Sequence, residues 1–264
     1  MNRKHFNEQY ERTYDGAGDF RFYFYSSATL RWFKKEFLAL QPKTMVDLGA
    51  GDVWVLRNLS EVSAATTITF ALDMSDASCH RAQMRLKEFP RNTQAKMQIL
   101  QGDVCSLPFR AESLNFVMST MVLEHVDDVR FISEIRRVLT YSGIALITTV
   151  IKRPWAWYYL KDTQGKSILE LSHLREYSSL EEIEKLFKTQ GFEILLSSSA
   201  TIKFSLLTPV LRLLLKLFQN QWIFKFPATP LGIFLRLITR IPIPGYESAE
   251  LVVLKQLPDA TTRL

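Results

Sequence analysis

The chain predicts an α/β fold, a doubly wound sheet of seven strands, and three observations predict it. Short apolar runs alternate with stretches of helical period, the order a mostly parallel sheet requires. The first run, Met45-Val46-Asp47-Leu48, passes into Gly49-Ala50-Gly51-Asp52-Val53, where glycines lacking a Cβ let the chain turn sharply beside a ligand. Acidic residues then stand at the ends of three successive runs: Asp47, Asp73 and Asp103.

Thr44 to Leu48 reads as a buried strand, and the loop after it excludes two common nucleotide sites. A dinucleotide fingerprint needs a further glycine where Trp54 stands, and no Gly-Lys-Ser/Thr follows Gly51 as a P-loop demands. The second strand, Thr67 to Leu72, runs into Asp73, whose carboxylate at the carboxyl edge of the sheet can accept both hydroxyls of a ribose. The third, Met97 to Gln101, is followed by Gly102-Asp103-Val104, and Asp103 can accept a hydrogen bond from an adenine amino group. Any one of these acids alone reads as a solvated turn or a helix cap. The ordered set, placed where the strand order reverses, reads as one ligand site.

Ser113 to Ser119 follows as a fourth strand. Asp127 and Asp128 then precede Val129, Ile132, Ile135 and Leu139, a helix with an acidic start and an apolar stripe. Ile144 to Val150 is the fifth strand. Ser178-Ser179-Leu180-Glu181-Glu182 is a capping box opening a helix closed by Gly191. Phe192 to Leu196 and Ala249 to Lys255 complete the count as strands six and seven.

With these residues in view, the chain resembles the class I S-adenosylmethionine (SAM) dependent methyltransferases, and within them the subgroup of ubiquinone and menaquinone biosynthesis enzymes. The likeness covers about residues 40 to 195. It includes Val122-Leu123-Glu124-His125-Val126-Asp127-Asp128 after strand four and Glu134 to Gly143 before strand five. Two positions depart from that pattern: Val53 stands where the family usually has a third glycine, and Tyr141-Ser142 where it often has Pro-Gly. The resemblance implies a Rossmann-like methyltransferase fold with SAM as cofactor, held by Asp47, Gly49, Ala50, Gly51, Asp73, Met74, Asp103, Val104 and Thr120. A methyl on a sulfonium is already electrophilic, so no covalent nucleophile is needed. Oxygen or activated-carbon acceptors gain from a general base, and His125, Glu124 and His173 are the candidates, each of which also has a plain structural reading.

Bulk properties fit one elaborated domain: 264 residues at 47% apolar composition can bury a large core. Cys79 and Cys105 are the only cysteines, with no Cys-x-x-Cys and no spaced histidine partners, so neither a disulfide framework nor a metal site is expected. The start, Met1-Asn2-Arg3-Lys4-His5, leads into a polar, aromatic-rich segment rather than an apolar signal core, so the expected location is the cytoplasm. Residues 1–40 are expected to form a helical lid over the cofactor, with packing alone as the other reading.

Between strands six and seven lie about fifty residues, far beyond the usual loop. From Ile194 to Tyr246 there is no acidic residue, while Lys203, Arg212, Lys216, Lys225, Arg236 and Arg240 are basic. At helical period Ser205, Thr208, Arg212, Lys216 and Gln219 form a narrow polar stripe beside a broad leucine face, and Leu231 to Ile241 repeats the arrangement. Residues 201–245 are therefore read as an amphipathic insertion in a core of 41–200 and 246–258. The insertion either lies in a membrane interface, its cations drawn to anionic headgroups, or caps the site or a dimer contact. The net charge of +6 suits an anionic surface. Nucleic acid is not the expected partner, because Ser119-Thr120-Met121-Val122 lacks the Asn-Pro-Pro-Tyr type sequence of base methyltransferases.

The expectation is a SAM-dependent methyltransferase acting on oxygen or carbon of a hydrophobic, lipid-like or aromatic small molecule at or near the membrane surface. Trp155, Trp157, Tyr158 and Tyr159 are candidates for a greasy acceptor pocket. Two alternatives stand beside this reading: a soluble natural-product methyltransferase with the insertion as lid, and an inactive SAM-fold scaffold or partner subunit. Oligomeric state is not readable from the sequence.

Overall fold

The computed structural model describes residues 27–60, 67–156, 160–161, 167–168, 172–205 and 229–256. Its centre is a seven-stranded sheet in the order β3-β2-β1-β4-β5-β9-β8. The strands are β1 (Thr44–Leu48), β2 (Ile68–Asp73), β3 (Met97–Gln101), β4 (Leu114–Thr120), β5 (Leu139–Lys152), β8 (Phe192–Ser205) and β9 (Arg240–Lys255). Two short strands, β6 (Leu160–Lys161) and β7 (Ser167–Ile168), pair separately. The first five strands of the large sheet are parallel. β9 enters antiparallel between β5 and β8. The order reverses between β1 and β4, the place where an open α/β sheet offers a crevice to a ligand.

The helices among the described residues are α1 (Ser27–Leu40), α2 (Trp54–Ser60), α3 (Asp76–Leu86), α4 (Arg91–Gln94), α5 (Asp128–Val138), α6 (Leu180–Thr189) and α7 (Pro230–Ile238), with a 3-10 turn at Leu123–His125. Three of them start on side-chain caps: Ser75 accepts from the Ser78 amide, Asp127 from Arg130 and Ser179 from Glu182. Glu182 in turn accepts from the Ser178 amide at 2.8 Å, closing the capping box one residue early.

Helices cover both faces of the sheet, so the central strands are buried on both sides. One apolar cluster joins Val46, Leu48, Val117 and Ile147 to Phe131 and Ile135 of α5 and Phe187 of α6. The other joins Met45, Phe116, Met118 and Leu146 to Phe33 and Phe37 of α1 and Leu56 and Leu59 of α2. Phe37 meets Phe116 edge-on at 5.7 Å between ring centroids. Truncating either ring would cost roughly 3–5 kcal/mol. α1 is therefore part of the core, which corrects the expectation that all of 1–40 is a lid; residues 1–26 lie outside the described residues.

Strands six and seven run much further than expected. Beyond Thr201↔Glu247 the pair continues as Lys203↔Pro242, Phe204↔Ile241 and Ser205↔Arg240. A register shift between Thr201 and Lys203 faces the stretch with Pro242, Pro244 and Gly245, residues that argue against a regular strand and find their place at an irregularity near its end. Both ends of the 201–245 insertion are thus strand. Its second expected helix, Leu231 to Ile241, stops at Ile238, and Arg240 opens β9 instead of sharing a helical face with Arg236. The first expected helix, 205–219, lies outside the described residues apart from Ser205.

Candidate active site

β1 ends and the chain turns at once. The amides of Gly49 and Ala50 both donate to the Leu72 carbonyl, at 2.8 and 3.1 Å, which draws the turn across the end of β2. Gly49 has φ +71°, and a Cβ there would overlap the Cγ2 of Val122. Gly51 has φ +56°, but no heavy atom of the described protein lies within 4 Å of where its Cβ would stand. One glycine answers to the protein around it, and the other faces the ligand side.

Asp73 ties this turn to β2. Its Oδ2 accepts from the Gly51 amide at 2.8 Å and its Oδ1 from the Ser75 amide at 2.9 Å. Each oxygen retains a further lone pair, the arrangement needed to accept two neighbouring ligand hydroxyls. Asp47 is buried beside it. Burial pushes the Asp47 carboxyl well above the usual carboxylate range, and the neighbouring Asp73 charge pushes it further. Burial also raises Asp73, against the pull of the Ser75 and Gly51 amides. Two acids held this way gain most from a cationic ligand, which stabilises both ionised forms.

Met74 is half-buried, with its carbonyl accepting from the Gln101 side chain at 3.2 Å. Asp103 is exposed, its Oδ1 folded onto the Cys105 amide at 2.8 Å, and Val104 beneath it is buried. Thr120 closes β4 opposite Thr148 of β5, and Thr148 in turn faces Glu250 of β9. Among the described residues the hydroxyls of Thr120 and Thr148 are buried without a hydrogen-bond partner. These orphaned hydroxyls, the open side of Gly51 and the paired acids fit a polar, cationic ligand such as SAM.

Val53 stands at the family's third glycine position, yet the turn keeps its left-handed shape: φ is +57° and the side chain is wholly buried. Ser142 does the same at the other departure, with φ +64° in the bulge where β5 skips from Leu139 to Ile144. The glycine conformation persists at both sites without glycine.

The three candidate catalytic residues come together just past β4. Glu124 is buried, and its Oε2 accepts from the Thr149 hydroxyl at 2.7 Å. Its backbone carbonyl accepts from the amides of Leu174 and Arg175, at 2.8 and 3.2 Å, which clamps the 172–177 segment onto the 3-10 turn. Tyr177, fully buried, anchors the far end of that segment: its hydroxyl donates to Asp128 and its carbonyl accepts from the Lys152 amide. The rings of His125 and His173 then meet edge to face at 4.8 Å. His125 Nδ1 faces the Ser172 carbonyl at 3.3 Å, and His173 Nδ1 faces Glu176 Oε1 at 3.0 Å. Both partners accept, so in the neutral form of either ring the proton sits on Nδ1 and the lone pair on Nε2.

The sequence reading missed Thr149, Ser172 and Glu176. Glu176 is three residues from His173, and Thr148-Thr149 is a polar pair in a strand otherwise buried and apolar; either could have drawn attention. It also missed that the histidines have each other as partners. Of the aromatic group, Trp155 is 70% exposed, and residues 157–159 lie outside the described residues.

Comparison with known proteins agrees with this geometry. A family profile described as a methyltransferase domain matches residues 46–147. The malonyl-[acyl-carrier protein] O-methyltransferase of Gallionella capsiferriformans (strain ES-2) is 28% identical over 162 residues, 60% of this chain and 53% of that protein. The chain thus spans about half the length of that curated relative. Among solved structures, phosphoethanolamine N-methyltransferase 2 of Haemonchus contortus in complex with SAM has a TM-score of 0.64 at 18% identity, covering 96% of this chain and 60% of that one. The [4+2]-cyclase SpnF has a TM-score of 0.61 at 16% identity, covering 88% of this chain and 82% of that one. Identities this low speak for the fold, and the fold carries more than one chemistry. With the profile spanning β1 into β5 and an acidic site at the sheet's switch point, residues 46–147 form a methyltransferase domain of the class I SAM-dependent type.

Proposed function

We propose that this protein transfers a methyl group from SAM to an oxygen or carbon of a hydrophobic, lipid-like or aromatic small molecule, taken up at or near the membrane surface. When bound, SAM supplies an electrophilic methyl carried on a sulfonium. Asp73 and Asp103 hold the nucleoside, Met74 and Val104 line the base, and the Gly49-Ala50-Gly51 turn with Asp47 and Thr120 receives the amino-acid end. Glu124, His125 and His173 stand at the acceptor side, where an imidazole Nε2 takes the proton that the acceptor gives up and a buried carboxylate stabilises the resulting charge.

The observation carrying the membrane part is on α7. Leu231, Phe234 and Ile238 share one face at helical spacing and are 58%, 56% and 61% exposed, in a stretch without acidic residues. No helix among the described residues is long and apolar enough to cross a membrane. The reading is therefore peripheral attachment, on the cytoplasmic face of an anionic bilayer. A second reading is a soluble enzyme of natural-product chemistry with the insertion as lid; the shared fold of a [4+2]-cyclase is compatible with it.

The test incubates purified protein with methyl-labelled SAM and a host extract, partitions the label between organic and aqueous phases, and measures sedimentation with anionic vesicles. Organic label lost in Asp73→Ala, together with vesicle binding, is the expected result. Aqueous label and no vesicle binding would replace it with the soluble reading, and no label with no SAM binding would make the chain a scaffold.

A further inference from the structure

We infer that Glu124, His125 and His173 form a binding site for a divalent transition cation of the zinc class. One nitrogen or oxygen atom from each lies within 4.8 Å of those of the other two. Two imidazoles and one carboxylate are the donor set of three-ligand metal sites that leave a position open, and imidazole favours zinc, cobalt or nickel over magnesium or calcium. Bonds of zinc length would set the donors about 3.3 Å apart, so the cluster closes by a small side-chain adjustment on binding.

The surrounding contacts are those that ligands need. A ligating histidine almost always has its other ring nitrogen bound to a carboxylate or carbonyl, which fixes tautomer and ring direction. Both histidines satisfy this, His173 through Glu176 at 3.0 Å and His125 through Ser172 at 3.3 Å, and both thereby direct the lone pair to Nε2. Thr149 occupies Oε2 of Glu124, which orients the carboxylate and leaves Oε1 for the ion. The elements are rigidly joined as well, since the 172–177 segment is hydrogen-bonded both to the 3-10 turn and to β5. Glu124 is 2% exposed and the His173 side chain 4%, so a cation held there would sit largely out of water.

The site rests on the placement of these residues at the acceptor end of the proposed reaction. With a cation bound, both Nε2 atoms are ligands and no longer act as the base: the cation would bind the acceptor's oxygen and lower the pH at which its proton leaves to solvent, so the open position belongs to substrate.

Cobalt(II) titrated into metal-stripped protein tests the proposal by visible absorption, with zinc(II) as competitor and SAM binding followed separately by calorimetry. One equivalent of cobalt, displaced by zinc, is expected. Affinity should fall at least 100-fold in His173→Gln and in Glu124→Gln, and 10- to 100-fold in Glu176→Gln, with SAM affinity unchanged in all three. If a buried variant does not fold by circular dichroism, the half-buried His125→Gln carries the comparison. Intact SAM binding without stoichiometric cobalt binding overturns the metal site alone, as does cobalt binding that survives every substitution. Loss of SAM binding by the unmodified protein would instead count against the transferase reading.

Discussion

The Asp73 carboxylate accepts a hydrogen bond from the Gly51 amide at 2.8 Å, so the acidic end of β2 holds the turn that leaves β1. The group proposed to read a ribose is thus the same group that shapes the loop beside it. Asp73→Ala removes a charged acceptor from two amides at once, and hydrogen bonds to charged groups contribute roughly 1.5–3 kcal/mol each. Affinity for SAM, measured by calorimetry at neutral pH, should fall at least about tenfold. In the unmodified protein affinity should also weaken as pH falls, because Asp73 and Asp47, both raised by burial, protonate above the ordinary carboxylate range and lose attraction for a cation.

Gly49 and Gly51 share a left-handed backbone but differ in what a side chain would meet. Gly49→Ala collides with Val122 as well as straining the turn, so it should lower the melting temperature and SAM affinity together. Gly51→Ala meets no protein atom and carries only the backbone penalty of roughly 1–2 kcal/mol. Its melting temperature should fall little while SAM affinity collapses. Thermal melts beside calorimetry separate the two, and equal loss of stability in both variants would contradict the assignment.

Ser142 and Val53 occupy glycine geometry, with different expected responses to glycine. Ser142 is exposed at φ +64°, so Ser142→Gly relieves strain at the expense of a freer unfolded chain, for a net gain of about 0.5–1 kcal/mol. The melting temperature should rise by roughly 1–4 °C. Val53 is wholly buried at φ +57°, and Val53→Gly gives up roughly 1.5–3 kcal/mol of burial for a similar relief of strain. That variant should be less stable than the parent.

Asp47→Asn should stabilise the protein at neutral pH and weaken SAM binding. Burial raises the folded-state pKa of Asp47 above its ordinary 3.8. The folded state therefore binds more protons than the unfolded one, and wild-type stability falls as pH rises from the ordinary value through the raised one. The variant lacks this loss. Its advantage in melting temperature should be small in acid, grow toward neutral pH and then stay level; an advantage largest in acid would refute the burial argument.

Both thiols should react slowly with alkylating reagents. Burial is the main cause that pushes Cys79 and Cys105 up to about 11, with nearby aspartates adding to it. At pH 8 only on the order of one thiol in a thousand is ionised. Between pH 7 and 9 the alkylation rate should climb about tenfold per unit without a plateau, followed by mass spectrometry. A plateau near pH 8.5 would show ordinary, solvated thiols.

Local signals made the parallel half of the fold legible. The strands Thr44–Leu48 and Met97–Gln101 match the sequence reading to the residue, because runs of five bounded by turn residues are too short for a helix. The overhang of β8 and β9 was not legible, since Pro242, Pro244 and Gly245 break the period from which a strand is read; only the partner strand supplies the order. Candidates for the cofactor side could be named because the acids stand one after another at strand ends. Both histidines could be named as candidates but their contact could not be foreseen, since nothing near His125 in the sequence announces His173: the two meet through backbone hydrogen bonds of Leu174 and Arg175 to Glu124.

β9, the last described strand in the chain, is inserted between β5 and β8 rather than added at the rim. During synthesis β5 must therefore wait with an open edge, its apolar Leu146, Ile147 and Val150 already in place, until β9 has left the ribosome. At ribosomal speeds of about 5–20 residues per second, the hundred or so residues between the two strands take roughly 5–20 s. For that time the nascent protein is a half-closed sheet, the form most exposed to wrong pairing and the one a chaperone would have to shield.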